Sequence, residues 1–246
     1  MGSNRLPGKV LRPIVGKAML WHIVQRVRAV ASISEVVVAA PNDSANEVLR
    51  RFCADHNIAL FAGSETDVLD RYYRAAEQFE ADPVLRITAD CPMVDPHLIE
   101  KLIQAYQNGG YDHIGVAAGA GAERITQGRF PDGLDAECFG FSALARAWHE
   151  ATDPRDREHV TRYMWNNKQI FHCGELTADL VYPKLRLTVD HLEDFELVTK
   201  IYESLYSERR PFLLSDVMKL LEENPGLLDL NRKWTDAENY KSVLEN

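Results

Sequence analysis

Long apolar runs are missing from this 246-residue chain. No stretch reaches the length that spans a bilayer, and no apolar leader segment follows Met1, so neither membrane spanning nor secretion is indicated. Cysteine is scarce. Cys53, Cys91, Cys138 and Cys173 lie far apart with no C-x-x-C pair. That spacing argues against a zinc site or a disulfide framework and fits a reducing cytoplasm. Positive charge is also in deficit. Lys and Arg total 28 against 37 Asp and Glu, a formal charge of −9, which disfavours a general nucleic-acid binder. No G-x-S-x-G occurs and the cysteines sit in no nucleophile motif, so Ser/His/Asp or Cys/His catalysis has little support. There is no long repeat or low-complexity segment. What remains is an ordinary globular composition, 46% apolar and 26% charged, at a length that suits one domain with a sizeable core.

The most distinctive stretch is the first. Met1-Gly2-Ser3-Asn4-Arg5-Leu6-Pro7-Gly8-Lys9 sets two glycines, two short polar side chains, an arginine and a lysine within nine residues. Gly2 and Gly8 allow tight turns and close approach to a ligand. Backbone N–H groups of such a loop can surround an anion. Arg5 offers a fork for phosphate oxygens and Lys9 a point charge. The segment therefore suits a nucleotide triphosphate, or else is a loose basic terminus. It is not a P-loop, because five residues separate its glycines and Val10 follows the lysine. Nor is it a myristoylation signal, since Leu6 stands at the position that needs Ser or Thr.

Helical spacing of Leu20, Ile23, Val24 and Val27 predicts an amphipathic helix over 18–31. Apolar runs predict strands at 35–40, 58–62, 84–90, 111–118, 133–139, 170–176 and 185–190. Helices are expected up to about residue 56, then at 68–80, 92–108, 142–151, 155–167, 192–206 and 214–223. This alternation reads as an α/β fold with a mainly parallel sheet, whose ligands lie beyond the carboxyl ends of the strands. Residues 119–132 break the pattern as a long loop, a frequent place for function.

An internal echo is the sharpest signal. Arg86-Ile87-Thr88-Ala89-Asp90 and Arg186-Leu187-Thr188-Val189-Asp190 each end an apolar run in Asp, about a hundred residues apart. On parallel neighbouring strands the two carboxylates emerge together, where they could share Mg²⁺ with phosphate oxygens and water. Alternatively each Asp caps the next helix or turn. Asp132 and Asp135, after the long loop, are candidate acceptors for sugar hydroxyls or simply turn residues. Arg157 and His159 are candidate substrate contacts or a solvated helix face. Arg71 could contact a base or pair with Asp67 one turn away. His22 reads as a core or rim histidine.

Taken together, these stretches resemble the sugar-specific cytidylyltransferases, which include the acylneuraminate and ketodeoxyoctonate (KDO) cytidylyltransferases. The likeness is greatest to the branch named for spore coat polysaccharide biosynthesis protein F. It runs through SNRLPGKVLRPIVGKAMLWHIVQRV at 3–27, GSETDVLDRYY at 63–73, RITADCPMVDP at 86–96, PDGLDAECF at 131–139, REHVTRYMW at 157–165, RLTVDHLEDFELV at 186–198 and LLEENPGLLDLN at 220–231. The resemblance implies a Rossmann-like three-layer nucleotidyltransferase fold with a mixed, mainly parallel sheet. It also implies a small dimerisation and sugar-facing subdomain near 125–180 within the single domain of residues 1–246.

The implied activity is transfer of CMP from CTP to an acidic or modified sugar, with release of pyrophosphate. Gly2, Ser3, Arg5 and Lys9 would hold the triphosphate, and Ser64 and Arg71 would approach cytosine. Asp90 and Asp190 would bind Mg²⁺, while Asp132, Asp135, Arg157 and His159 would face the sugar. A cytoplasmic homodimer, bound to neither nucleic acid nor membrane, is expected. Family members carry a strand of about 6–10 residues before the loop, so its first strand is expected to be missing here through a late-called start. Two other readings are a degraded, non-catalytic homologue and a glycosyltransferase using a nucleotide-sugar donor. The second would want a D-x-D motif, which Asp153 to Asp156 does not provide.

Overall fold

A computed structural model describes residues 5–118, 129–180, 182 and 185–235. The opening loop leads into a hairpin of β1 (Pro13–Ile14) and β2 (Lys17–Ala18), then α1 (Met19–Arg28). Next come β3 (Val37–Pro41), α2 (Glu47–Asp55), β4 (Ala59–Gly63), α3 (Val68–Gln78) and β5 (Val84–Arg86). The chain continues through α4 (Pro96–Gly109), β6 (His113–Val116), β7 (Glu137–Phe139) and α5 (Phe141–Glu150). It ends with α6 (Pro154–His159), α7 (Arg162–Asn166), β8 (Cys173–Leu176), α8 (Leu192–Leu205) and α9 (Leu214–Glu223).

Local chemistry sets these boundaries. Asp95 caps α4 by accepting from His97 N and Leu98 N, with Pro96 supplying a preset first helical φ. Gly110 stops the same helix at φ 63°, in the left-handed region that glycine enters without strain. Asp67 and Asp153 cap α3 and α6 in the same way.

β3 and β4 pair in parallel, and a second sheet runs β5-β7-β6-β8. β7 is antiparallel to β5 and β6, while β6 is parallel to β8, so three of these four strands share a direction. The pleat separates the two faces of this sheet. Leu85, Cys138 and Ile114 pack with Ile23 and Val27 of α1 and Ile99, Leu102 and Ile103 of α4. Val84 and Phe139 point the other way, against Leu69 of α3, Ala143 and Leu144 of α5 and Met164 of α7. Helices thus cover both faces, giving the three layers expected. A further cluster joins α8 and α9 to Leu134, Leu187 and Val189. β7, inside the 125–180 segment, lies between β5 and β6, so that segment supplies an interior strand as well as outer helices.

Several expected elements are shorter. The strand expected over 84–90 stops at Arg86, and that over 133–139 begins at Glu137. Residues 185–190 form no strand. Only an isolated bridge joins Asp132 to Arg186, because this backbone bonds to two loops instead of a neighbouring strand. The helix expected over 155–167 divides at Val160, whose φ of 62° and ψ of −65° turn the chain. Thr161 N closes that γ-turn on His159 O at 2.7 Å.

Candidate active site

The opening loop wraps tightly. Gly8 takes φ 67°, and the turn is closed by Lys9 N to Leu6 O, Leu11 N to Gly8 O and Arg12 N to Lys9 O. This coil sends the Lys9 side chain across the molecule. Its Nζ donates to Val189 O at 2.7 Å and Asp190 Oδ1 at 3.0 Å, and lies 3.6 Å from Asp90 Oδ2. Arg5 reaches the same Asp190 oxygen at 3.0 Å and remains largely exposed. Gly2 and Ser3 lie outside the described residues.

The two acids meet because their backbones bond directly. Val189 N donates to Asp90 O at 2.8 Å, and Thr188 Oγ1 donates to the same oxygen at 3.2 Å. Burial raises the Asp190 pKa, but the charge and hydrogen bond of Lys9, then Arg5 and Arg186, outweigh it and hold the carboxyl below its ordinary range. Two adjacent carboxylates beside a part-buried ammonium form a hard-oxygen donor set of the type Mg²⁺ uses. Among the described residues no group of three or more His, Cys, Asp or Glu could hold a metal. Two carboxylates nevertheless fit a cation that takes its other oxygens from phosphate and water.

Asp132 and Asp135 border this pair. Gly133 sits at φ 94°, and a Cβ there would stand 2.3 Å from Thr188 N and 2.5 Å from Leu187 C. Only glycine lets the turn press so closely on the segment that carries Asp190. Leu187 N then donates to Asp132 O at 2.7 Å, and Asp132 N to Leu185 O at 3.1 Å. The Asp135 carboxylate accepts from Gly133 N, yet its pKa is raised to about 7. Burial is the main cause, followed by the charge of Asp132, with Asp90 and Glu137 adding to it. Behind Asp135, Glu137 accepts from Arg86, His113 Nε2 and Thr161 Oγ1. Burial opposes its charge, but Arg86 and His113 pull its pKa down to about 2.

The remaining expected contacts gather around the start of α3. Arg71 is buried and donates to Ser64 O, and Ser64 Oγ accepts from Asp67 N. Asp67 does not pair with Arg71, its neighbour one turn along. It instead receives Arg157, whose Nε lies 3.1 and 3.0 Å from the two carboxylate oxygens and whose Nη2 lies 2.6 Å from Oδ2. Arg157 Nη1 donates to Trp148 O. The guanidinium is thereby committed to holding α6 against α3, whereas His159 is exposed.

One important participant went unread in the sequence. Arg186 bonds Asp132 Oδ2 at 3.0 Å, Asp190 Oδ2 at 2.8 Å and Asp194 Oδ1 at 3.1 Å. Its place at the head of the second Arg-x-Thr-x-Asp run and the spacing Arg186, Asp190, Asp194 were its sequence signals, but similar charge ladders occur on many solvated helices.

A cytidylyltransferase family model matches residues 1–232. The chain is 32% identical to spore coat polysaccharide biosynthesis protein SpsF of Bacillus subtilis, over 92% of each protein. It is 26% identical to 3-deoxy-manno-octulosonate cytidylyltransferase 2 of Hydrogenovibrio crunogenus, over 96% of this chain and 95% of that one. Among solved structures, a cytidylyltransferase from Leptospira borgpetersenii superimposes with a TM-score of 0.82 at 26% identity, covering 92% of both chains.

Proposed function

The chain belongs to the cytidylyltransferase family, and on that premise we propose that it transfers CMP from CTP to a hydroxyl of an acidic or modified sugar, within the synthesis of a surface polysaccharide or glycan. The observation that carries this reading is the meeting of Lys9, Asp90 and Asp190 beside the opening loop. The names of the similar proteins support the substrate class. In the reaction the sugar hydroxyl gives up its proton as its oxygen bonds to the α-phosphorus, while the bond from that phosphorus to the β-phosphate oxygen breaks, so that pyrophosphate and one proton are released.

In this reading Gly2, Ser3, Arg5 and Lys9 hold the triphosphate in line for attack. The ammonium of Lys9 faces charge that develops on phosphate oxygens, at a site whose geometry is fixed before the substrate arrives. Asp90 and Asp190 would hold Mg²⁺, which when bound neutralises phosphate charge. Ser64 and Arg71 approach cytosine. Asp132 accepts from sugar hydroxyls, and Asp135, titrating near 7, can hold or release a proton at neutral pH. Arg157 shapes the wall through Asp67, leaving His159 to face the sugar.

A homodimer through the 125–180 segment is part of the proposal. It rests on the resemblance to the sugar-specific cytidylyltransferases described above. A cytoplasmic location is part of the same proposal, in keeping with four free cysteines. Among the described residues no helix is long and apolar enough to cross a membrane.

Pyrophosphate release from CTP, tested over a panel of ulosonic and amino sugars with and without Mg²⁺, examines this directly. Sugar-dependent release is expected with CTP. Its absence for every nucleotide and sugar pair would overturn the function.

A further inference from the structure

We propose that Asp194, held from behind by Asn231, is a positioning residue for the reaction, and that the carboxy-terminal segment 225–235 acts as a buttress for Asp190. The proposal rests on the function given above. Asp194 exposes 0% of its surface and Asn231 1%, so neither can touch substrate. Both oxygens of Asp194 are occupied. Oδ2 accepts from Asp190 N at 3.1 Å and His191 N at 3.0 Å, while Oδ1 accepts from Arg186 Nε at 3.1 Å and Asn231 Nδ2 at 2.9 Å.

Two of these bonds are what any acid in the first turn of a helix makes, since it satisfies N–H groups left unpaired there. The other two have no part in starting α8. Arg186 uses its remaining nitrogens on the carboxylates of Asp190 and Asp132, so the path from Asp194 through Arg186 leads to the site. Asn231 adds a second grip by donating to Arg186 O at 3.0 Å. It is carried by a segment that docks on the start of α8 through contacts of its own. Trp234 stacks on His191 with centroids 3.5 Å apart and donates to Glu193. A buried carboxylate with donors on both oxygens is held in place, because turning it off those donors leaves buried polar groups unpaired. Asp194 therefore fixes Asp190 twice, by its backbone and, through Arg186, by its side chain. Supporting contacts of this kind hold reactive groups to the narrow geometry that turnover needs.

The test compares Asp194→Asn and Asn231→Ala with Val217→Ala, a core truncation on α9 outside this network. Steady-state pyrophosphate release, thermal unfolding and amide exchange are measured on the full chain. Both network variants are expected to lose about 10- to 100-fold in kcat, the scale set by misplacing a reacting group by about 1 Å. KM for CTP should stay within about threefold and unfolding should remain cooperative. Exchange should quicken across 186–194 and stay unchanged across 214–223. Val217→Ala should lower Tm while keeping kcat within about twofold of the parent. If Asp194→Asn does not fold, Asn231→Ala decides alone. Parental kcat in Asn231→Ala, or unchanged exchange across 186–194, overturns the proposal. Failure of the parent to turn over would instead overturn the assigned function, and the exchange result would still decide the role of Asp194 and Asn231.

Discussion

Lys9 and Asp190 stand 181 positions apart in the chain and 3.0 Å apart in space. The lysine slot is narrow, with a side chain only 12% exposed and Val189 O as a second acceptor. Lys9→Ala is therefore expected to lower kcat/KM for CTP by about 10²- to 10³-fold, the usual cost of losing one preorganised donor to a developing anion. Lys9→Arg should restore little, because a planar fork does not fit a site built for a point charge. Steady-state pyrophosphate release measures both, and a loss below tenfold in the alanine variant would count against the assignment.

The paired acids give a metal prediction. EDTA should abolish turnover and added Mg²⁺ should restore it. Asp190→Asn should abolish it irreversibly while leaving urea unfolding cooperative. If activity survives that substitution, Asp190 does not bind the metal.

Gly133→Ala tests the close approach of two backbones. The new methyl would fall 2.3 Å from Thr188 N at a φ of 94°, so segment 187–190 must shift. A stability loss of about 2 kcal/mol or more is expected from clash and strained backbone together. Turnover should fall by more than the unfolded fraction explains, as Asp190 moves with that segment. Calorimetry and kcat on the same preparation check this.

Much of this architecture was legible because it obeys local rules. Helix α9 spans 214–223 as its periodicity foretells, and the two Arg-x-Thr-x-Asp runs do bring Asp90 and Asp190 together. Residues 185–190 were misread for a physical reason. Apolar alternation reports which side chains are buried, not which partner receives the backbone bonds. Here those bonds go to Asp90 and Asp132, in loops distant in the chain. Arg157 was similarly opaque, because its partner Asp67 lies 90 positions away while a nearer candidate, Arg71, turns to Ser64. Val160 carries no sign in its residue type that it will adopt positive φ.

Removing Arg157 should separate its structural role from substrate contact. Arg157→Ala leaves Asp67 without its cation and frees α6 from α3. The expected cost is about 1–2 kcal/mol, discounted for an ion pair that water partly reaches. KM for the sugar should rise while KM for CTP changes little. A variant with parental urea midpoint would contradict the anchoring role.

His113 predicts how stability depends on pH. Burial disfavours its charge, but contacts with Cys173 and Glu137 prevail and raise its pKa from 6.5 to about 9. The folded protein then binds this proton more tightly than the unfolded chain. The resulting stability is complete below pH 6.5 and disappears as pH rises through about 9. Glu137, lowered to about 2, contributes above its ordinary 4.5 and loses that contribution as pH falls toward 2. Urea midpoints should decline from pH 6.5 to 9 in the parent, and His113→Gln should flatten that decline.

The bond from Lys9 to Val189 ties together residues 180 positions apart. Ribosomes release polypeptide from the amino end at about 5–20 residues per second. On the order of ten seconds must therefore pass between emergence of the lysine and synthesis of its acceptor. Through that interval the nascent chain carries the opening loop but lacks the wall it closes against. A chain halted before Val189 would carry every strand named above and α1 to α7, but no acceptor for Lys9.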